Sequence, residues 1–126
     1  MKLYKRLFTV KEINENFGYD LMTIANQGGF VTQESACDAW CDEAALSIHN
    51  LIVKNRGVKF AKDLYEYVEK DEDLYNALKM AQMYEMLFII ENGNIQLLAK
   101  QEQGYIKHSN DALDLLYSYG ILLLGM

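Results

Sequence analysis

The sequence holds two cysteines and two histidines, residue types that bind transition metals and act as nucleophile and base. Cys37 and Cys41 are one helical turn apart, and His49 follows two turns later on the same helical pattern. A metal site closed by His108 is one interpretation. Zinc modules, however, pair their cysteines on a knuckle or loop, not along an apolar helical stripe. We therefore favour two small core cysteines, and we expect no metal or cofactor.

The acidic residues and the known short motifs do not indicate a catalytic site either. The chain lacks the glycine-rich phosphate loops, the G-x-S-x-G nucleophile elbow and the H-E-x-x-H zinc helix. Glu85 interrupts an apolar helical pattern, where a catalytic acid is one interpretation and a rim residue or the partner of a neighbouring lysine is the favoured one. Asp71, Glu72 and Asp73 lack the glycine and alternating ligands of an EF-hand loop and indicate a charged helix start. We expect no enzymatic activity.

Composition limits the class of protein. The 126 residues contain eight glycines and no proline, which favours helices over a many-turned sheet and fits one domain spanning 1–126. A net charge of −6 argues against binding nucleic acid through many phosphate contacts. The apolar runs are far shorter than the roughly 20 residues that cross a bilayer. Two cysteines without an export signal predict a soluble, intracellular protein.

Hydrophobic spacing predicts a mainly α fold, a small bundle of four to five helices that would position these residues. The helices are expected within residues 3–17, where a loose basic start precedes the helix, and over about 32–54, 59–69, 71–91 and 110–119. Thr9 and Glu12 form a capping box for the first helix, and Ser109 caps the last. Residues 19–30 favour a loop, and residues 94–108 a short β-hairpin or extended arm. Residues 120–126 then form an extended C-terminal tail.

This tail is the most apolar part of the chain, in the sequence Ile-Leu-Leu-Leu-Gly-Met. Burying its four large aliphatic side chains is worth on the order of 6–12 kcal/mol before the entropy of fixing them is subtracted. The tail therefore either folds back on its own core or docks on another subunit or partner. Nine tyrosines and six methionines are also favoured where surfaces meet partners.

Four short motifs occur in order along the chain. Residues 81–85 (AQMYE) and 91–93 (ENG) make a late helix with an Ala, Gln and Glu/aromatic signature that stops at Glu-Asn-Gly. Residues 8–12 (FTVKE) are similar to an opening L-T-x-x-E-Y helix, and residues 45–50 (ALSIHN) take the place of an A-S-x-x-I-D helix. Residues 109–122 are similar to a closing S-x-x-A-x-x-L-L-x-x-x-G-L-L. The chain thus resembles the head–tail connector (adaptor) proteins of long-tailed bacteriophages.

The resemblance implies a dodecameric ring in the neck of the virion, made in the bacterial cytoplasm. The ring would sit below the portal protein, bind a stopper or tail-completion protein on its lower side, and let DNA pass through its lumen without specific binding or contact with a membrane. We assign portal contact to the apolar residues of the tail, which are Ile121, Leu122, Leu123, Leu124 and Met126. Asp71, Glu72 and Asp73 are weaker candidates for an acidic ring at the lumen or lower face.

The sequence leaves two alternative functions open. A small helical interaction or regulatory module would hold a partner peptide in a groove between the second and fourth helices. An enzyme would carry a thiol or metal site at Cys37, Cys41 and His49.

Overall fold

The computed structural model describes residues 4–18, 33–91 and 108–124, and these residues contain five α-helices. The helices are α1 (Val10–Phe17), α2 (Gln33–Arg56), α3 (Val58–Tyr67), α4 (Glu72–Glu91) and α5 (Asn110–Ser118), with a 3-10 turn (Val68–Lys70) between α3 and α4. No strand occurs in the described ranges. The predicted small, mainly α bundle is confirmed. The loop predicted over 19–30, and the hairpin or arm predicted over 94–108 except for His108, fall outside the described residues.

Local side-chain signals set several helix ends. Thr9 Oγ1 accepts a hydrogen bond from the backbone N–H of Glu12, and Glu12 Oε1 accepts one from the backbone N–H of Thr9, which completes the predicted capping box. Gly18 ends α1 in the left-handed region with φ of 71°. Ser109 caps α5 through the N–H of Ala112. Helix α1 starts at Val10, directly after the predicted N-cap Thr9, whose backbone is extended.

Helix α4 lies at the centre of the bundle, where it packs against both α2 and α5. It contributes to two clusters of buried side chains, which explains why its apolar residues are not confined to one stripe. The first cluster joins α2, α3, α4 and α5 and includes Ile48, Ile52, Leu64, Leu78 and Leu116. The second joins α1, α2 and α4 and includes Phe8, Ile13, Cys41, Met83 and Met86. In the described part of the chain, none of the helices combines the length and apolar content that spanning a bilayer requires.

Candidate functional site

The two cysteines are core residues, as predicted. Cys37 and Cys41 are at most 1% exposed and belong to the second cluster. Burial raises the pKa of Cys41 to about 12, so its thiol stays protonated and is a poor nucleophile. His49 lies apart from them, with its ring between those of Tyr4 and Tyr65 at centroid distances of 5.5 and 5.8 Å. Its burial lowers its pKa and favours the neutral ring. The structure does not bring the cysteines and His49 into one site.

Glu85 is a buried residue with several hydrogen-bond partners and not a rim residue. Its side chain is 2% exposed and contacts two other parts of the bundle. Ser47 Oγ on α2 donates to Glu85 Oε2 at 2.5 Å, and His108 Nδ1 lies 2.5 Å from the same oxygen. Glu85 Oε1 accepts from the backbone N–H of Ser109 at 2.8 Å. The favoured interpretation, a rim residue or the partner of a neighbouring lysine, is therefore wrong: the side chain is buried, and its partners are a serine, a histidine and a backbone amide.

This cluster fixes the start of α5 and does not have the geometry of a nucleophilic triad. In a triad, the acid and the nucleophile contact opposite ring nitrogens of the histidine. Here Ser47 Oγ and Glu85 Oε2 both face Nδ1 of His108, at 3.2 and 2.5 Å. The Ser109 amide that Glu85 binds belongs to the N-cap residue of α5. Glu85 thus ties the entry of α5 to α4 and α2.

The apolar segment after α5 divides into a buried half and an exposed half. Gly120, with φ of 72°, reverses the chain so that the N–H groups of Ile121 and Leu122 both reach the carbonyl of Leu116. Ile121 and Leu122 are 1% and 2% exposed and pack in the first cluster. Leu123 and Leu124 are 50% and 75% exposed.

Among the residues assigned to portal contact, Ile121 and Leu122 therefore pack on the protomer's own core. Leu123 and Leu124 remain exposed, and we call them the leucine pair. Met126 lies outside the described residues.

The end of α2 holds the backbone next to the leucine pair in place. Asn55 Nδ2 donates to the carbonyl of Leu123 at 2.9 Å, and Asn55 Oδ1 accepts from the N–H of Leu123 at 2.8 Å. Arg56 Nη1 donates to the carbonyl of Gly120 at 3.0 Å, and its guanidinium lies 3.8 Å above the ring of Phe60. In the sequence, Asn55 and Arg56 only follow the end of the helix predicted over about 32–54. Their role depends on contacts with residues more than sixty positions away.

An open apolar groove of about 340 Å³ lies beside this segment. Its carbon lining comes from Phe60 and Leu64 of α3, Leu74 of α4 and Ile121. Tyr67 and Tyr119, which are 56% and 49% exposed, form its rim. A groove was predicted between α2 and α4, but these helices pack directly on each other. The groove instead lies between α3, the first turn of α4 and residues 119–121, and we call it the α3–α4 groove.

The predicted acidic cluster is only partly available to a partner. Asp71 Oδ1 accepts from the N–H of Leu74 at 3.1 Å, so this carboxylate caps the start of α4. Glu72 and Asp73 follow in the first turn of α4 and are exposed. Their negative charge favours the helix N-terminus, which accounts for their position without a ligand.

Asn55→Ala is expected to free the leucine pair while leaving the bundle folded. The change removes both hydrogen bonds to Leu123, so amide exchange of Leu123 should rise sharply. The free energy of unfolding should fall by about 1 kcal/mol or less, because these bonds compete with water at an exposed site. Hydrogen exchange followed by NMR measures the effect. The matched control is Asn50→Ala, an exposed asparagine on the same helix. Equal protection of Leu123 in both variants would contradict the role of Asn55.

Comparison with known proteins does not assign the chain to a family. No family model, curated protein or solved structure matches it. The case for a function therefore depends on the motifs in the sequence and on the surfaces described above, of which the leucine pair and the α3–α4 groove are the most distinctive.

Proposed function

We propose that this chain is a structural assembly protein of the head–tail connector type. In this proposal it forms a dodecameric ring in the virion neck, joins the portal protein to the stopper or tail-completion protein, and lines the channel for DNA. The proposal is supported by the four motifs that resemble that family, and by a surface suited to docking on another protein. It assigns the chain no catalytic role.

The proposal rests mainly on the exposure and fixed position of the leucine pair. Leu123 and Leu124 are large aliphatic side chains that are half exposed or more. Asn55 holds the backbone of Leu123 at both its N–H and its carbonyl. A partner that covers these side chains gains apolar burial, while little backbone freedom remains to be lost at Leu123. Exposed apolar groups in a fixed position are typical of interaction sites, and we assign the portal as the partner, with Met126 as a further contact.

The negative charge of the chain suits the lining of a channel through which DNA passes without being bound tightly. The net charge is −6, and Glu72 and Asp73 add exposed carboxylates at the start of α4. Negative charge at a lumen repels phosphate, so a duplex can slide past it. With Asp71 engaged in capping α4, the proposed acidic ring depends mainly on the other two residues.

A general protein–protein interaction module is the second candidate function, and the α3–α4 groove favours it. The groove is apolar and open, and tyrosines form its rim, a composition that suits docking of a peptide or helix. The two candidates differ in the partner that they require, because only the connector needs a portal ring.

A binding experiment with the portal encoded in the same genome tests the connector proposal. Purified wild-type chain should bind the portal ring, and the double variant Leu123→Asp/Leu124→Asp should bind at least about tenfold more weakly, because it places two charges in an apolar contact. Surface plasmon resonance measures the affinity, and electron microscopy of the complex gives the copy number.

The control for this experiment is Leu46→Asp. Leu46 is also an exposed leucine, 39% accessible on α2 and outside the groove. Circular dichroism should show the same helicity for all variants, since every substituted side chain is exposed. A wild-type chain that does not bind the portal would contradict the connector proposal. Equal portal binding by the double variant would remove the leucine pair from the contact.

A further inference from the structure

Residues 4–8 precede α1 and lie along the bundle outside any helix, and we call them the strap. Gln82 of α4 binds the backbone of the strap at two points. Its Oε1 accepts from the N–H of Leu7, and its Nε2 donates to the carbonyl of Lys5, both at 2.8 Å. At the N-terminal end of the strap, the partly buried ring of Tyr4 packs against the first cluster. The strap is thus attached to the helices through side chains.

Helix α1, which follows the strap, is anchored to the bundle by its own contacts. Glu12 forms an ion pair with Lys79 of α4, and the ring centroid of Phe17 lies 5.8 Å from that of Tyr84. Thr9, between the strap and α1, has an extended backbone and caps the helix through its side chain. The strap can therefore detach at Thr9 while α1 stays in place.

Tyr4 of the strap covers a histidine. The ring of His49 lies between those of Tyr4 and Tyr65, at centroid distances of 5.5 and 5.8 Å. The two side chains that face it, from the strap and from α3, are uncharged phenols. Exposure falls from the partly buried Tyr4 through His49, at 7%, to Tyr65, at 3%. Tyr4 therefore lies on the solvent side of His49, and it leaves when the strap detaches.

Two buried polar atoms in this stack have no hydrogen-bond partner in the described part of the chain, Nδ1 of His49 and the hydroxyl of Tyr65. Burial lowers the pKa of His49. Burial first, and the nearby Tyr4 second, raise the pKa of Tyr65. Both groups are thus uncharged while the strap is in place. Detachment of Tyr4 gives them access to water, which offsets part of the cost of opening.

We propose that the strap is a pH-sensitive element, which detaches when His49 takes up a proton at mildly acidic pH. The proton comes from the solvent, and the charged ring then requires the water that Tyr4 excludes. The inference concerns the isolated chain and does not depend on the connector function. Detachment exposes the amide of Gln82, a donor and acceptor pair that can bind the backbone of another extended segment.

The direction of the effect follows from the lowered pKa of His49. In the closed form burial disfavours the charged ring, whereas in the open form the ring is hydrated and titrates near the ordinary histidine value of about 6.5. Above that value both forms are neutral and the strap stays closed. Below it the open form binds the proton preferentially, so the open population rises by up to about tenfold per pH unit. The strap is therefore expected to loosen as the pH falls.

The other titratable groups that hold the strap form ion pairs with the helices and the 3-10 turn. Lys5 pairs with Glu69, and Arg6 pairs with Asp38 and Asp42. The hydrogen bond from Lys5 holds the pKa of Glu69 below its usual value. Carboxylates ordinarily titrate near about pH 4. A change between about pH 7.5 and 5.5 therefore reports the histidine and not these pairs.

Hydrogen exchange of the full chain, followed by NMR over this pH range and corrected for the intrinsic exchange rate, tests the inference. The N–H of Leu7 reports the strap, because it binds Gln82. Its protection should fall at least about tenfold in total as the pH is lowered. The N–H of Ile13, which binds the carbonyl of Thr9 in the first turn of α1, should keep its protection. The ring protons of His49 should titrate below the ordinary histidine range.

Two variants and a matched control assign the effect to the histidine and its cover. His49→Phe keeps an aromatic ring but cannot take up a proton, so protection of Leu7 should not change with pH. Tyr4→Ala removes the cover, so His49 should titrate closer to its ordinary value. Glu69→Gln removes the carboxylate that binds the strap through Lys5 and should keep the pH response of the wild type.

Three results would overturn the inference. One is wild-type protection of Leu7 that stays constant over the whole pH range. Another is a fall in protection of equal size in His49→Phe. The third is a titration of His49 that is the same in Tyr4→Ala as in the wild type, a measurement that does not require the His49→Phe variant to fold.

Discussion

Glu85→Ala is expected to lower the free energy of unfolding by about 3–5 kcal/mol, the largest effect of a single substitution considered for this chain. The substitution leaves the backbone N–H of Ser109 without its acceptor at a buried position, which costs about 1–3 kcal/mol. Ser47 loses its acceptor in the same change. A cavity where the carboxylate packed against α2 and α5 adds the rest. Urea denaturation followed by circular dichroism measures the loss.

Two further variants show whether the loss comes from the hydrogen bonds. Glu85→Gln keeps an amide oxygen that can accept from Ser109, so its loss should be clearly smaller than that of the alanine variant. Glu66→Ala changes an exposed glutamate on α3 and should shift stability by no more than about 0.5 kcal/mol. If Glu85→Ala costs as little as Glu66→Ala, the buried network does not hold α5 in place.

The helix ends were predictable from sequence because their signals are local. Thr9 and Glu12 are three residues apart, as are Ser109 and Ala112, and each pair closes through the backbone that lies between them. Such contacts need no knowledge of the tertiary fold. The same reason explains why the helix pattern gave the correct fold class.

The network at Glu85 was not predictable because its partners are distant in sequence. Ser47 is 38 positions away and His108 is 23 positions away. Nothing local distinguishes a glutamate that meets them from a glutamate at a surface rim. Asn55 is a stronger case, since the residue it binds is 68 positions away. Periodicity locates an apolar face, but only packing decides which polar side chain is enclosed with it.

The apolar segment after α5 shows the same limit at finer scale. Its hydrophobicity predicts that the side chains are buried. It does not predict which of them pack on the protomer's own core and which are left for a partner. The turn at Gly120 sets the register, since it directs Ile121 and Leu122 toward Leu116 and leaves the next two leucines outside. Hydropathy alone gives Leu122 and Leu123 the same value, yet one is 2% exposed and the other 50%.

Gln82 anchors the extended residues before α1 to the central helix. Its side chain is fully buried on α4. Gln82 Oε1 accepts from the N–H of Leu7, and Gln82 Nε2 donates to the carbonyl of Lys5, both at 2.8 Å. The Gln82 side-chain amide thus makes the hydrogen bonds that a neighbouring strand would make to this extended segment. The described ranges contain no such strand. Phe8 follows immediately and is 1% exposed in the second cluster.

Gln82→Leu is expected to lower the free energy of unfolding by about 2–3 kcal/mol, because two backbone groups lose their buried partner and leucine offers neither a donor nor an acceptor. Detachment of residues 4–9 limits the cost, since the freed groups can then bind water while Phe8 becomes exposed. Amide exchange should therefore quicken at Leu7 and Phe8 well before global unfolding, whereas amides in the middle of α2 follow global stability. Asn76→Leu, an exposed position on α4, is the matched control. Unchanged exchange at Leu7 in the Gln82 variant would show that apolar packing of Phe8 alone holds this segment.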